Sequence, residues 1–435
     1  MTERGLDVAI RWVLLCMPLA AALGSFITVA GIAPARPVSV LLITLALLRL
    51  RGNPSRQGVL TLVLALAWVG WGFFQPYNLA GISELMSIGL GLLTVAALSV
   101  EPATLRTFRA FAAGWGLAWV VACAPAVVEI LTGTHLPNYL ERSPEHIRLA
   151  SQDIASFFVN PNLFAYFITL ASFQLVALAG VAERRVVRML MLLPAVITPV
   201  FVLYSGSRLA LLVSPAVLAW AVWAWWPKAR RALVAVASVA IAAGGLVVLY
   251  SPRFRARMEM ESQGSTQGRL NLYRSGVYLW TDSFGFGVGA GRFETEIARG
   301  AAPYDTQGAI NPHAGFFELL SQYGLLPAAV AIACLIVVVW PRLKAFAGDA
   351  TRPTSVVVAE QSVCVSVGLM LVLSFANSTF LDSPIAWLHV ASLSMTSVAL
   401  SAGTLATKVP PERALELWAV RPQLRAYAAS LASRS

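Results

Sequence analysis

Apolar runs long enough to cross a bilayer recur along almost the whole of this sequence. In hydrocarbon every backbone polar group must be satisfied within the protein, so such runs fold as helices or as a closed barrel. A spanning helix needs roughly 18 or more apolar residues, and several runs here reach that length. A barrel would show segments of about ten residues alternating apolar and polar, and none is present. Composition agrees: 58% of residues are hydrophobic and 12% are charged, whereas soluble domains carry about 25% charged residues. The fold class is therefore all-α, a polytopic membrane protein of about twelve transmembrane helices.

The spans are placed at 8–31, 37–50, 57–74, 79–98, 106–131, 157–181, 187–204, 208–226, 231–250, 314–340, 355–375 and 383–405. The first has no A-x-A cleavage site and more spans follow it, so it reads as a retained helix rather than a signal peptide. This divides the chain into helices 1–9 over 1–250, a large outer loop over 251–313, helices 10–12 over 314–405, and a tail over 406–435. The tail stretch "ALELWAVRPQLRAYAASL" reads either as a broken amphipathic helix along the membrane surface or as a frayed end.

Charge gives the orientation. The net charge of +11 sits in short connections between apolar runs, which favours a membrane reading over nucleic acid. Even-numbered connections hold Arg49, Arg51 and Arg56; Arg106 and Arg109; Arg184, Arg185 and Arg188; Lys228, Arg230 and Arg231; Arg342, Lys344 and Arg352. The short odd-numbered ones hold only Arg36 and Arg208. By the positive-inside rule both termini are cytoplasmic and the long connections 132–156 and 251–313 are outside. The four cysteines, Cys16, Cys123, Cys334 and Cys364, all lie in apolar segments, with no disulfide framework and no zinc spacing.

Ionisable groups near the spans gather at their outer ends: Glu84, Glu129, Glu318 and Asp382. A proton-coupled transporter is expected to place such groups halfway across, so the pattern points to an outward-facing site. In "NPHAGFFELL", Asn311 is expected to cap a helix, with Pro312 at its first position and His313 in its first turn. The positive end of the helix dipole would keep that imidazole neutral and able to accept a proton. The alternative for His313 is a structural hydrogen-bonder. In "YSGSRLALL", Arg208 opens a helix after a tight turn, either as an oxyanion-binding guanidinium or as an interfacial arginine. The outer loop carries seven arginines, including Arg269 and Arg274, and no lysine. Its glycines in "DSFGFGVGAGRF" lack the strand–turn–helix setting of a nucleotide loop and read as close-packed backbone. "VNPNLFAYF" repeats the Asn-Pro helix opening at Asn160, as a cap. His389 reads as a core residue, and His135 and His146 lie in the other outer loop.

"NPNLFAYF" opening one span, "SGSRLALL" opening a later one, then "GRLNLYRSGVYLWTDSFGFGVGAGRF" and "NPHAGFFELLSQYGLLP" come in this order and share an outer face. Over about residues 155–330 they resemble the O-antigen ligase and polymerase superfamily of bacterial envelope enzymes. The resemblance implies a GT-C-like, metal-independent glycosyltransferase without cofactors in the bacterial inner (cytoplasmic) membrane, with a large periplasmic loop and a periplasmic active site. It implies an undecaprenyl-pyrophosphate-linked glycan as donor, lipid A–core as acceptor, membrane lipids as surroundings and no nucleic acid. The family's essential histidine falls on His313 and its arginines on Arg208 and Arg269, with Arg274 the neighbouring candidate. Tyr273 stands near where relatives often have Trp. Asn311, Glu318 and Asn160 are secondary candidates. The expected activity is that of an inverting O-antigen ligase. The alternatives are an O-antigen polymerase, a protein O-oligosaccharyltransferase or, in another class, a lipid or sugar transporter.

Overall fold

The computed structural model describes residues 3–24, 26–28, 32–50, 55–100, 104–136, 153–236, 252–343, 353–375 and 380–401, with backbone only over 252–266. Ten helices among them are long and apolar enough to span a membrane. These are α1 (Glu3–Leu23), α3 (Arg56–Phe74), α4 (Leu79–Val100), α5 (Leu105–Thr132), α6 (Pro161–Leu178), α7 (Arg185–Tyr204), α8 (Arg208–Trp225), α12 (Leu325–Leu343), α13 (Thr354–Ser374) and α14 (Pro384–Ser401). The protein is an all-α, multi-pass membrane protein. The second expected span is α2 (Ala35–Arg49), whose 15 residues reach only about 22 Å. Of the expected span 231–250, only the helical residues 231–236 are described. The tail segment and His146 lie outside the described residues.

Helix α6 is the centre of the bundle. Its core is continuous with α1, α5, α7, α8, α13 and α14, and nearly all of its side chains are buried, including Tyr166, Phe167 and Phe173. A helix apolar on every side belongs inside. Small residues let its neighbours approach: a Cβ on Gly114 of α5 would meet the Leu14 carbonyl of α1 at 3.0 Å, the close packing that replaces hydrophobic drive inside lipid.

The two ends of the bundle differ. The arginine-rich connections meet at one end, where Arg109 pairs with Glu183 at 2.5 Å and Arg342 reaches the Ser397 carbonyl at 3.0 Å. The opposite end carries the segment 252–323. Far from irregular, it holds α9 (Pro252–Asp282), α10 (Phe293–Ala298) and α11 (Gly315–Tyr323), with a small core of Leu272, Leu279 and Phe293. The glycine loop between α9 and α10 seats this layer on the bundle. Val288 and Gly289 donate to the Ser321 and Gln322 carbonyls at 2.8 and 2.9 Å, and the Gln75 amide reaches the Phe286 carbonyl. At Gly289 (φ +105°) a Cβ would overlap the Pro76 carbonyl oxygen, so these glycines serve backbone contact.

One span is corrected. The expected continuous helix 314–340 is two helices, α11 and α12, broken at Gly324 (φ +77°). The Leu325 amide beyond the break donates to Gly285 at 2.9 Å. The apolar run is unbroken in sequence, so periodicity alone hides this turn.

Candidate active site

The site is built where α9 lies on α11. Arg269, Tyr273 and Gly276 follow one another at spacings that share a face of α9. Tyr273 stacks on Phe317 of α11, ring centroids 4.9 Å apart and 8° from parallel, and meets Phe375 at the end of α13 edge-on at 5.7 Å. A Cβ on Gly276 would already touch Phe317 at 3.4 Å. This packing fixes the register of α9 on α11, with Arg269 one turn before Tyr273 and close enough for its charge to act on His313.

His313 is not in a helix. The N-cap of α11 is Ala314 and the helix starts at Gly315, so Asn311 and Pro312 do not cap or open it as expected. His313 takes the left-handed conformation, φ +49°, which no helix residue can adopt and which costs about 1–3 kcal/mol away from glycine. The chain thereby turns so that Gly315 slides against the Phe380 ring. The imidazole is partly buried between buried Pro312 and Ala314. Burial, and then the positive charge of Arg269, hold its pKa below the ordinary value. The ring is therefore neutral near pH 7, as the sequence suggested, but the cause is the pocket and a guanidinium rather than a first-turn position. Burial likewise raises the Tyr273 phenol, with Arg269 opposing.

The other candidates separate. Arg274 is exposed on the far side of α9 and its guanidinium lies 3.5 Å from the Asn271 amide oxygen. Arg208 opens α8 as expected, exposed beside the tight turn at Gly206 (φ +66°). That turn packs on the Asp153 side chain, and Ile154 donates to Tyr204 at 3.1 Å. Helix α8 packs on α13, and Phe375 just past the end of α13 meets Tyr273. Asn160 is a cap: its side-chain oxygen accepts from Leu163 at 2.7 Å. Asn311 is partly buried in the turn before His313.

Three acidic residues read as outer-end candidates prove to be fasteners. Buried Glu318 accepts the backbone N–H groups of Phe380 and Leu381 at 2.9 and 3.4 Å. Glu84 accepts from the Tyr323 hydroxyl at 2.6 Å and from Gln322. Glu129 accepts Ala155 and Ser156 at 3.0 and 2.7 Å and pairs with His135 at 3.0 Å. His389 bridges Gln174 and Ser366 at 2.8 and 2.9 Å inside the bundle, as a core residue should. What sequence reasoning missed is Phe317 with Phe375, the aromatic pair that seats Tyr273. Phe317 had one signal, the paired aromatics in "GFFELL", and Phe375 stood alone in "LSFAN".

No curated protein matches the chain. Residues 193–333 match the family model of O-antigen ligase, a stretch that contains Arg208, Arg269, Arg274, Asn311, His313 and Glu318 together with the whole α9–α11 layer. Over this segment, about a third of its length, the chain is similar to the O-antigen ligase family.

Proposed function

We propose that this protein is an O-antigen ligase. It takes a glycan from an undecaprenyl-pyrophosphate carrier at the periplasmic face of the inner membrane and joins it to a hydroxyl of lipid A–core. The observation that carries the reading is the partly buried His313, its pKa held low by burial and by the positive charge of Arg269, within the segment that matches the O-antigen ligase model, at the end of the bundle opposite the arginine-rich connections. The acceptor oxygen attacks the anomeric carbon and the bond from that carbon to the pyrophosphate oxygen breaks, with inversion. His313 takes the hydroxyl proton, and the polyprenyl pyrophosphate leaves as an anion. Arg269 and Arg208 meet the charge that grows on it, a role suited to planar bidentate donors. The positive charge that holds His313 unprotonated is then the same one that binds the leaving group.

The reading is tested with purified protein, lipid-linked glycan and lipid A–core, without nucleotide and with a chelator. Covalent glycan on lipid A–core supports it. Product that appears only as lengthened lipid-linked glycan would make the protein a polymerase, and product only on added protein would make it a protein glycosyltransferase.

A further inference from the structure

Arg36 is a basic residue on the wrong end of its helix. It lies in the second position of α2, where the dipole disfavours a cation, and in an outer connection otherwise poor in basic charge. Pro34, the residue before α2, offers no side-chain cap. The structure gives Arg36 a different setting. It lines a cavity of about 260 Å3 between α1, α2, α4 and α14. Its guanidinium donates to Ser83 and Ser87 at 3.3 and 3.1 Å. Asp382 lines the same cavity and accepts from Ser87, the hydroxyl that Arg36 also reaches.

The lining is mostly apolar, with one cluster of polar groups. Hydroxyls of Ser39 and Ser383 join Arg36 and Asp382, while Leu163 and Trp387 give carbon surface. The Trp387 ring is fixed: its indole N–H donates to the Leu381 carbonyl at 2.7 Å, and a Cβ on Gly91 would overlap the ring. Burial raises the Asp382 carboxyl, with Ser87 and Arg36 opposing, so the cavity sets one guanidinium beside one acidic group. A phosphate drawn to Arg36 would lie beside the Asp382 carboxylate, and an ammonium drawn to Asp382 would lie beside the guanidinium. A neutral ring with neighbouring hydroxyls satisfies both, accepting from Arg36 and donating to Asp382, with its C–H face on the indole. The volume sits just below the usual range of small-molecule pockets, about 300 Å3 upward, so it suits one ring rather than an oligosaccharide.

This cavity is not the His313 site. The two lie on either side of residues 380–383: Glu318 of α11 holds the backbone of Phe380 and Leu381 from one side, while Asp382 and Ser383 face the cavity on the other.

We propose that the Arg36–Asp382 cavity is a carbohydrate subsite that holds one neutral sugar ring, apart from the place where the new bond forms. Assigning that ring to the donor or acceptor glycan rests on the function proposed above; the preference for a neutral polyol does not.

The test is saturation-transfer NMR on the full-length protein in lipid nanodiscs, free of sugar-headed detergent, with methyl glucoside and N-acetylglucosamine as probes and inorganic phosphate as competitor. A sugar signal is expected that phosphate does not displace. Arg36→Gln and Asp382→Asn should each weaken it on the order of tenfold, the effect of removing a charged partner from a hydrogen bond. Arg299→Gln, at an exposed outer arginine, should leave it unchanged. Should Arg36→Gln fail to fold, Ser39→Leu fills the cavity from α2 with a residue that favours helix, and should abolish the signal. Absence of sugar binding, equal binding to Arg36→Gln and Asp382→Asn, or displacement by phosphate would each overturn the proposal. If this pattern holds while no glycan reaches lipid A–core, the proposed function fails and the subsite stands.

Discussion

At the scale of single residues the account turns on the protonation and backbone of His313. Burial and Arg269 together lower its pKa from 6.5. Only the unprotonated ring accepts a proton, so kcat/KM should be level near neutrality and fall only as pH drops through that lowered value. Arg269→Gln removes the second cause, so its residual activity should lose its acid limb at a higher pH than the parent. A limb that stays in place or moves down contradicts the coupling. The left-handed backbone, φ +49°, gives another prediction. Glycine adopts it freely, so His313→Gly should fold and leave a ring-sized space. Added imidazole should then restore part of the transfer, measured with and without it; no recovery would point to an orienting ring rather than a base. The sequence singled out His313 and Arg208 at the outer ends of apolar segments, but left a structural hydrogen-bonder and an interfacial arginine as their alternatives. The choice between Arg269 and Arg274 was not legible there. They lie about 140° apart around a helix, and only the stacking of Tyr273 on Phe317 tells which face meets α11. The partner of Glu318 was equally hidden, since Phe380 and Leu381 are distant in sequence and offer only backbone.

At the scale of elements, the site depends on a layer laid across the bundle rather than on the spans themselves. Its α9–α11 packing sets the register of Arg269, whose charge acts on His313, and its glycine loop holds the layer down. Gly289→Ala should therefore destabilise twice over. It places a side chain at φ +105° and drives a Cβ into the Pro76 carbonyl. Gly300→Ala shares the positive φ, +73°, but meets open space, so it should cost only the backbone strain, about 1–3 kcal/mol. Thermal unfolding of the purified variants should show a clearly larger drop in midpoint for Gly289→Ala; equal drops would mean that the loop does not rest on the α3–α4 turn. Sequence patterning found ten long helices as spans because transfer from water to lipid dominates their energetics. It failed over 314–340, where a glycine turn interrupts an unbroken apolar run; over 251–313 it marked a long outer loop but not its helix, because a long polar helix leaves no apolar signature.

At the scale of the whole molecule, charge distribution and geometry converge on one oriented bundle. The arginine-rich connections share one end, and the α9–α11 layer with His313 occupies the other. If that layer faces the periplasm, a single cysteine at Thr306 in a cysteine-free chain should react with a membrane-impermeant maleimide from outside spheroplasts. One at Lys228 should react only after lysis, and the reverse pattern would invert the protein. Orientation, histidine and arginines then serve one claim: this layer transfers a glycan with His313 as proton acceptor. The most direct test is the rate of glycan transfer to lipid A–core by purified parent and His313→Ala proteins of equal thermal stability. The account predicts a loss of about 10²–10⁴-fold in the variant; transfer at the parent's rate would contradict it.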